Sequence, residues 1–285
     1  MNNAIFTFVL FWILVLTGIT RGASADWASE VIEYVRNNGH PLYTNAVAAL
    51  GPAARITPDS LGGTGDVPVR VNEGVWSPEQ IVSIGNGGHL ILKMGQVITN
   101  DSDPWHPYGI DLIVYGNCFF STLLSNQYAL PWAYSHTDNA EIWVSNATSE
   151  WYRVEGVYAD ALMPTQSIDI NGNPSDYLLP VNPALLTNDW FDGTWSYTNT
   201  VMTYEGAAGG APIDLSNLVT ADGTSTNLSS AMYVKLVDVS GESSEIDAIA
   251  RVRTIPEPEL SVLLLLLTAW KSSRSRRPCA GGEYV

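Results

Sequence analysis

Ala140-Glu141-Ile142-Trp143-Val144-Ser145 is followed, after the polar stretch Asn146 to Glu150, by Trp151-Tyr152-Arg153-Val154-Glu155-Gly156-Val157. In the first run Ile142 and Val144 alternate with Glu141 and Trp143. That period of two marks a strand with one face in a core and the other outside it. The second run has the same β-branched and aromatic bias, and a polar turn between two such runs predicts a hairpin. The rhythm recurs outward from this pair. Gly87-Gly88 leads into His89 to Met94, with Leu90 and Leu92 on one face. Gly109 leads into Ile110 to Tyr115, Met232 to Val239 alternates again, and Ile246 to Val252 closes the series. Gly, Pro, Asn and Asp fill the joints, where turns need them. Short strands with turn-rich joints predict an all-β fold, a β-sandwich of jelly-roll type.

One segment reads differently. Trp27, Val31, Tyr34 and Val35 share a face at helical spacing, Asp26 can cap a helix start, and Gly39 with Pro41 stops it. A short N-terminal helix over Asp26 to Asn38 is therefore expected ahead of the strands. Two long insertions, Ser121 to Asn139 and Ala159 to Ala231, interrupt the strand rhythm. Insertions of that length are functional or disordered as a rule, and the aromatic content here favours order.

The two ends stand apart from the fold. Ala4 to Ile19 is almost wholly apolar and is followed by Ala23-Ser24-Ala25, the pattern of a secretory signal peptide cleaved before Asp26. At the other end Ile255-Pro256-Glu257-Pro258 precedes an apolar run of eleven residues, Leu260 to Trp270, and then Lys271, Arg274, Arg276 and Arg277. As a helix that run spans about 16 Å, short of the roughly 20 residues a bilayer core needs. It suits transient insertion in a membrane, with the basic cluster held on the cytoplasmic side. The expected organisation is a signal peptide over 1–25, a secreted domain over 26–255, a sorting segment over 256–277 and a tail over 278–285.

The chain of 285 residues carries a formal net charge of -16. Without the two ends, eight Lys and Arg face 26 Asp and Glu, and the charge is -18. Such a surface repels nucleic acid and offers oxygen ligands to calcium. Cys118 sits in an apolar run and reads as a buried small hydrophobe, and Cys279 lies in the tail. His40, His89, His106 and His136 form no HExxH, and no Gly-x-Ser-x-Gly or phosphate-binding loop occurs. The expectation is a protein that is not an enzyme.

Calcium is the cofactor the acidic loops suggest. Asn100-Asp101-Ser102-Asp103 gathers oxygens in a loop between strands. Asp169-Ile170-Asn171-Gly172-Asn173 has the alternating spacing that wraps a hard cation, although Pro180 replaces the closing Glu of an EF-hand. Asp101, Asp103, Asp169, Asn171, Asn173 and Asp247 are the candidate ligands. Asp238, Glu245 and Asp247 flank the last hairpin. Asp111 and Asp247 sit inside apolar strands, and either one, if buried, needs a partner or a metal. Aromatic residues beside polar ones in the insertions point to sugar rings as ligands. Trp132 and Tyr134 in the first, and Trp190 and Trp195 in the second, are the candidate stacking residues.

Pro256, Glu257 and Pro258, the apolar run and the basic residues Arg274, Arg276 and Arg277 together resemble the PEP-CTERM sorting signal of Gram-negative bacteria that make exopolysaccharide. That resemblance implies export to the cell surface and processing by an exosortase-type enzyme. Residues Gly87 to Leu92, Pro107 to Phe120, Ala140 to Tyr152, Tyr233 to Asp238 and Ser244 to Ile249 look like a domain recurrent in such surface proteins. The last two blocks are also similar to the paired strands of discoidin-like, galactose-binding-like jelly rolls. The expected function is adhesion to, or organisation of, extracellular polysaccharide. The rival expectations are a structural matrix protein without a discrete ligand and a secreted glycan-active hydrolase, which needs two carboxylates across one cleft, about 5–10 Å apart. Mass spectrometry of the exported protein should find Asp26 as the first residue; a chain that retains residues 1–25 would refute cleavage there.

Overall fold

The computed structural model describes residues 25–60, 63–102, 106–122, 130–131, 133–185, 193–239 and 241–254. The signal peptide up to Ser24, the sorting residues Pro256, Glu257, Pro258, Arg274, Arg276 and Arg277, and the tail lie outside them. The chain forms an all-β sandwich. Its larger sheet has seven antiparallel strands in the order β1 (Ala28–Val35), β5 (His89–Thr99), β14 (Ser230–Asp238), β9 (Ala140–Ser145), β10 (Tyr152–Ala159), β12 (Leu218–Val219) and β13 (Ser225–Thr226). The smaller has four, in the order β11 (Ala211–Ile213), β6 (Leu112–Gly116), β15 (Ser243–Arg251) and β4 (Val82–Gly85). Two small pairs complete the strands among the described residues, β2 (Ile56–Pro58) with β3 (Asp66–Pro68) and β7 (Phe119–Ser121) with β8 (Tyr134–His136).

The main core lies between the two sheets. Leu90, Leu92, Ile142, Val144, Val234 and Leu236 project from the larger sheet, and Val82, Ile84, Leu112, Val114, Ile213 and Ile249 meet them from the smaller. The alternate residues of β6 and β15 are buried as well. Ile113, Tyr115, Ala248 and Ala250 pack on the other side against Trp27, Ala53, Tyr177, Leu178 and Ala208. The smaller sheet is thus buried on both faces, which is why its strands read as continuous apolar runs. The larger sheet has its outer face in solvent and keeps its alternation.

The second insertion supplies much of that cover. Its short helix α1 (Tyr197–Thr203) is N-capped by Ser196 and contributes Tyr197 and Val201 to a separate cluster with Phe120, Met163 and Tyr204. α1 is the α-helix among the described residues. The helix expected over Asp26 to Asn38 is instead the edge strand β1. The reason is visible in its register with β5, which slips between Ala28 and Glu30 and again between Val31 and Glu33. Each slip is a β-bulge that inserts one residue. Ala28, Val31 and Tyr34 therefore face inward at a spacing of three, with Ser29, Glu30, Ile32 and Glu33 exposed. Two bulges turned a period of two into an imitation of a helical period.

A buried hydrogen-bonded chain ties the smaller sheet to its cover. Tyr115 Oη donates to the Tyr177 carbonyl at 2.7 Å, and Tyr177 Oη donates to the Ala54 carbonyl at 2.8 Å. Tyr115→Phe removes the first link and leaves a buried carbonyl unpaired, at a cost of about 1–3 kcal/mol. Urea unfolding should show that loss, and a variant as stable as the parent would refute the role of the link.

Candidate functional site

The base of the β9–β10 hairpin and the strand β15 bring three carboxyl groups together. Asp138 lies two residues ahead of β9, Asp160 directly follows β10, and Glu245 is inside β15. Their ligand oxygens lie within 4.8 Å of one another, and Asp160 and Glu245 are buried. Asp160 is held from both sides. Its Oδ1 accepts the Asn117 N–H at 2.7 Å, its Oδ2 accepts the Glu245 N–H at 2.8 Å, and its carbonyl accepts the Asp138 N–H at 3.0 Å. Its backbone takes the left-handed conformation at φ 54°, which short polar side chains tolerate best after glycine. Gly116 makes room for it, since a Cβ there would stand 2.6 Å from Asp160 Oδ1. A cavity of about 340 Å³ opens beside Asp160, bounded also by Gly116, Cys118, Thr137, Asn139 and Tyr158.

Burial, together with the charge of Glu245, pushes the Asp160 carboxyl well above the usual carboxylate range, despite its two backbone donors. Burial, with the carboxylates of Asp138 and Asp238 beside it, pushes Glu245 up to about 7. Burial and the Glu242 carboxyl push Asp138 up to about 6. Like charges this close cannot all ionise unaided. The group can share protons, or it can hold a divalent cation through its oxygens. Cys118 beside it is buried, and burial drives its thiol up, away from nucleophilic character.

The sequence-predicted ligands are placed elsewhere. Asp169 serves its own loop: Oδ1 accepts the N–H groups of Asn171 and Asn173 at 2.8 and 2.7 Å, and Oδ2 accepts the Asn173 side-chain amide at 2.9 Å. Asp247 occupies a bulge in β15, where the register slips between Ile246 and Ala248. It is buried on the covered face of the smaller sheet, and both its oxygens accept the Ala54 N–H, at 3.2 and 2.9 Å. Burial pushes Asp247 up to about 8. Asp101 accepts a hydrogen bond from the Thr99 hydroxyl, and Asp103 lies outside the described residues. Among the described residues, neither Asp101, Asp169 nor Asp247 belongs to the three-carboxylate group. The group joins positions 138, 160 and 245, which no local spacing relates; the hairpin ends at 138 and 160 were its one visible sign.

The predicted stacking residues are dispersed in the same way. Trp132 and Trp190 lie outside the described residues. Tyr134 has its backbone in β8, opposite Ser121. Trp195 packs, partly buried, against the cluster that holds Phe120, Tyr197 and Tyr204. The outer face of the larger sheet carries a different aromatic array. Strand pairing sets Glu33, Ile91, Lys235, Trp143 and Arg153 in one row across the sheet. Lys235 Nζ lies 4.9 Å from the Trp143 ring centre and 4.7 Å from that of Trp151, within cation–π range of both. Glu141 accepts from Trp143 Nε1 at 3.1 Å and from Arg153 at 2.8 Å, which fixes the first indole. Trp151 borders two grooves. One, of about 450 Å³, is lined by Glu33, His89, Ile91 and Lys235. The other, of about 600 Å³, is lined by Ser149, Glu150, Asp222 and Thr224.

No protein-family model matches the chain, and no curated protein matches it significantly. Its class therefore rests on the fold and on these two places, a buried carboxylate group and an aromatic outer face.

The carboxylates make stability depend on pH. Unfolded, Asp and Glu titrate near 3.8 and 4.5; folded, Asp138 does so near 6, Glu245 near 7 and Asp247 near 8. Between those values the native state keeps protons that the unfolded state has lost, so stability falls as pH rises from about 4 to about 8. In EDTA the urea midpoint should be higher at pH 5 than at pH 8, and Glu245→Gln should narrow the gap. Equal midpoints at both pH values would refute protonation in the native state.

Proposed function

We propose that this is an exported cell-surface or extracellular-matrix protein, of the PEP-CTERM type that its C-terminal segment resembles, and that it binds extracellular polysaccharide without acting as an enzyme. The observation that supports it best is the Trp143–Lys235–Trp151 array on the outer face of the larger sheet, with a groove on each side of Trp151. An indole offers a flat apolar surface to the C–H face of a sugar ring, and polar groups beside it bond the hydroxyls. Glu33, His89 and Lys235 do so in one groove, Glu150, Asp222 and Thr224 in the other. Such sites on strands are stiffer than sites on loops and suit repeated units of an extended chain. Calcium at Asp138, Asp160 and Glu245 would fix the end of the β9–β10 hairpin that carries Trp143 and Trp151. The negative net charge opposes nucleic acid as a partner on electrostatic grounds. The leader and sorting segments supply transient membrane insertion and an exosortase-type processing partner.

A glycan-active hydrolase is less well supported, because Asp160 is the single acid of the carboxylate group that lines the adjoining cavity. The test is binding of the purified protein to a broad glycan array, with calcium and again with EDTA. Saturable binding that Trp151→Ala weakens at least tenfold, about 1.4 kcal/mol, with unchanged unfolding, supports the reading. Loss of binding in EDTA places calcium in its support. No saturable binding in either condition overturns it in favour of a matrix protein without a discrete ligand.

A further inference from the structure

The crossing between β5 and β6 holds a histidine in an unusual state. His106 is fully buried, and its Nδ1 lies 2.6 Å from Asp111 Oδ1. Asp111 is fully buried too. Its Oδ1 accepts the Asp101 N–H at 3.0 Å and its Oδ2 accepts the Leu215 N–H at 2.8 Å. A carboxylate that already accepts two backbone donors takes the imidazole proton as a third, so the N–H is on Nδ1 and the ring turns Nε2 away from Asp111. Nε2 is buried with no hydrogen-bond partner among the described residues. The group it faces is the Asp101 carboxylate, 3.8 Å away at Oδ2.

Two lone-pair atoms facing each other, one of them fully buried, call for a positive charge between them. The distance selects its kind. A hydrogen bond reaches about 3.2 Å, so a proton on Nε2 cannot bridge this gap. Zinc bonds imidazole nitrogen at about 2.0–2.1 Å and carboxylate oxygen at about 2.0–2.2 Å, and 3.8 Å is within their sum. We infer that His106 Nε2 and Asp101 Oδ2 bind a divalent cation of the zinc class. Imidazole favours such ions over calcium. Asp111 is then the supporting carboxylate that orients a metal-binding histidine through its other nitrogen. It positions both ligands at once, because the same oxygen also anchors the Asp101 N–H. The His106 side chain has no exposure, whereas that of Asp101 is 39% exposed. The remaining coordination positions therefore open to water on the Asp101 side. The site is separate in sequence and composition from Asp138, Asp160 and Glu245.

Zinc chloride titrated into the purified protein, followed by calorimetry and by the side-chain nitrogen resonances of His106, tests this. The expected result is one site at which Nε2 moves from the unprotonated to the metal-bound position. Asp101→Asn, at a partly exposed position, should weaken it at least tenfold with unchanged unfolding, and Asp138→Asn should leave it intact. His106→Gln should abolish it; if that variant fails to fold, Asp101→Asn carries the test. Unshifted His106 nitrogens at saturating zinc, equal affinity in Asp101→Asn, or a ring protonated on both nitrogens at neutral pH and indifferent to zinc would each overturn the inference.

Discussion

The smaller sheet is buried on both faces, and much else depends on that constraint. A β-sandwich needs one apolar face per sheet. Here β6 and β15 send Leu112, Val114 and Ile249 into the sandwich and Ile113, Tyr115 and Ala250 the other way. The second face must be covered, and the polypeptide after β10 returns across it, tied down through Tyr115, Tyr177 and Ala54. Most of the second insertion is thus architecture.

Covering that sheet also encloses acids. Asp111, Asp160, Asp238, Glu245 and Asp247 are all buried, and each meets the cost of desolvation differently. Asp111 collects two backbone N–H groups and an imidazole. Asp238 takes the N–H and hydroxyl of Ser244. Asp247 has one backbone donor, from Ala54, and Glu245 and Asp160 lie against one another, so these retain protons well above the usual range. The outer face of the larger sheet is free of these demands. It can display Trp143, Trp151 and Lys235 because the hydrophobic requirement is met by the residues between them.

Much of the strand inventory was legible. Ala140 to Ser145 coincides with β9, and the expected runs at His89, Ile110, Trp151, Met232 and Ile246 each fall on a strand of the structure. The clearest error has a physical cause. The helix expected at Asp26 assumed a regular backbone, and two bulges intervene. The candidate sites were less legible, because their members meet through pairing between strands far apart in the chain. Asp138 and Asp160 approach only when the hairpin closes, and Glu245 only when β15 packs across from it.

By itself the sequence determined where chain segments extend, which face of each is apolar, and a strong negative charge. These are local properties, set by side-chain alternation and composition, and they dictate an all-β sandwich. The tertiary structure alone decided that the N-terminal segment pairs as an edge strand, that Asp247 is buried, and which carboxylates share a space. A bulge costs a single residue and leaves no mark in composition, and the approach of distant groups depends on sheet register, which forms only when the strands find their partners.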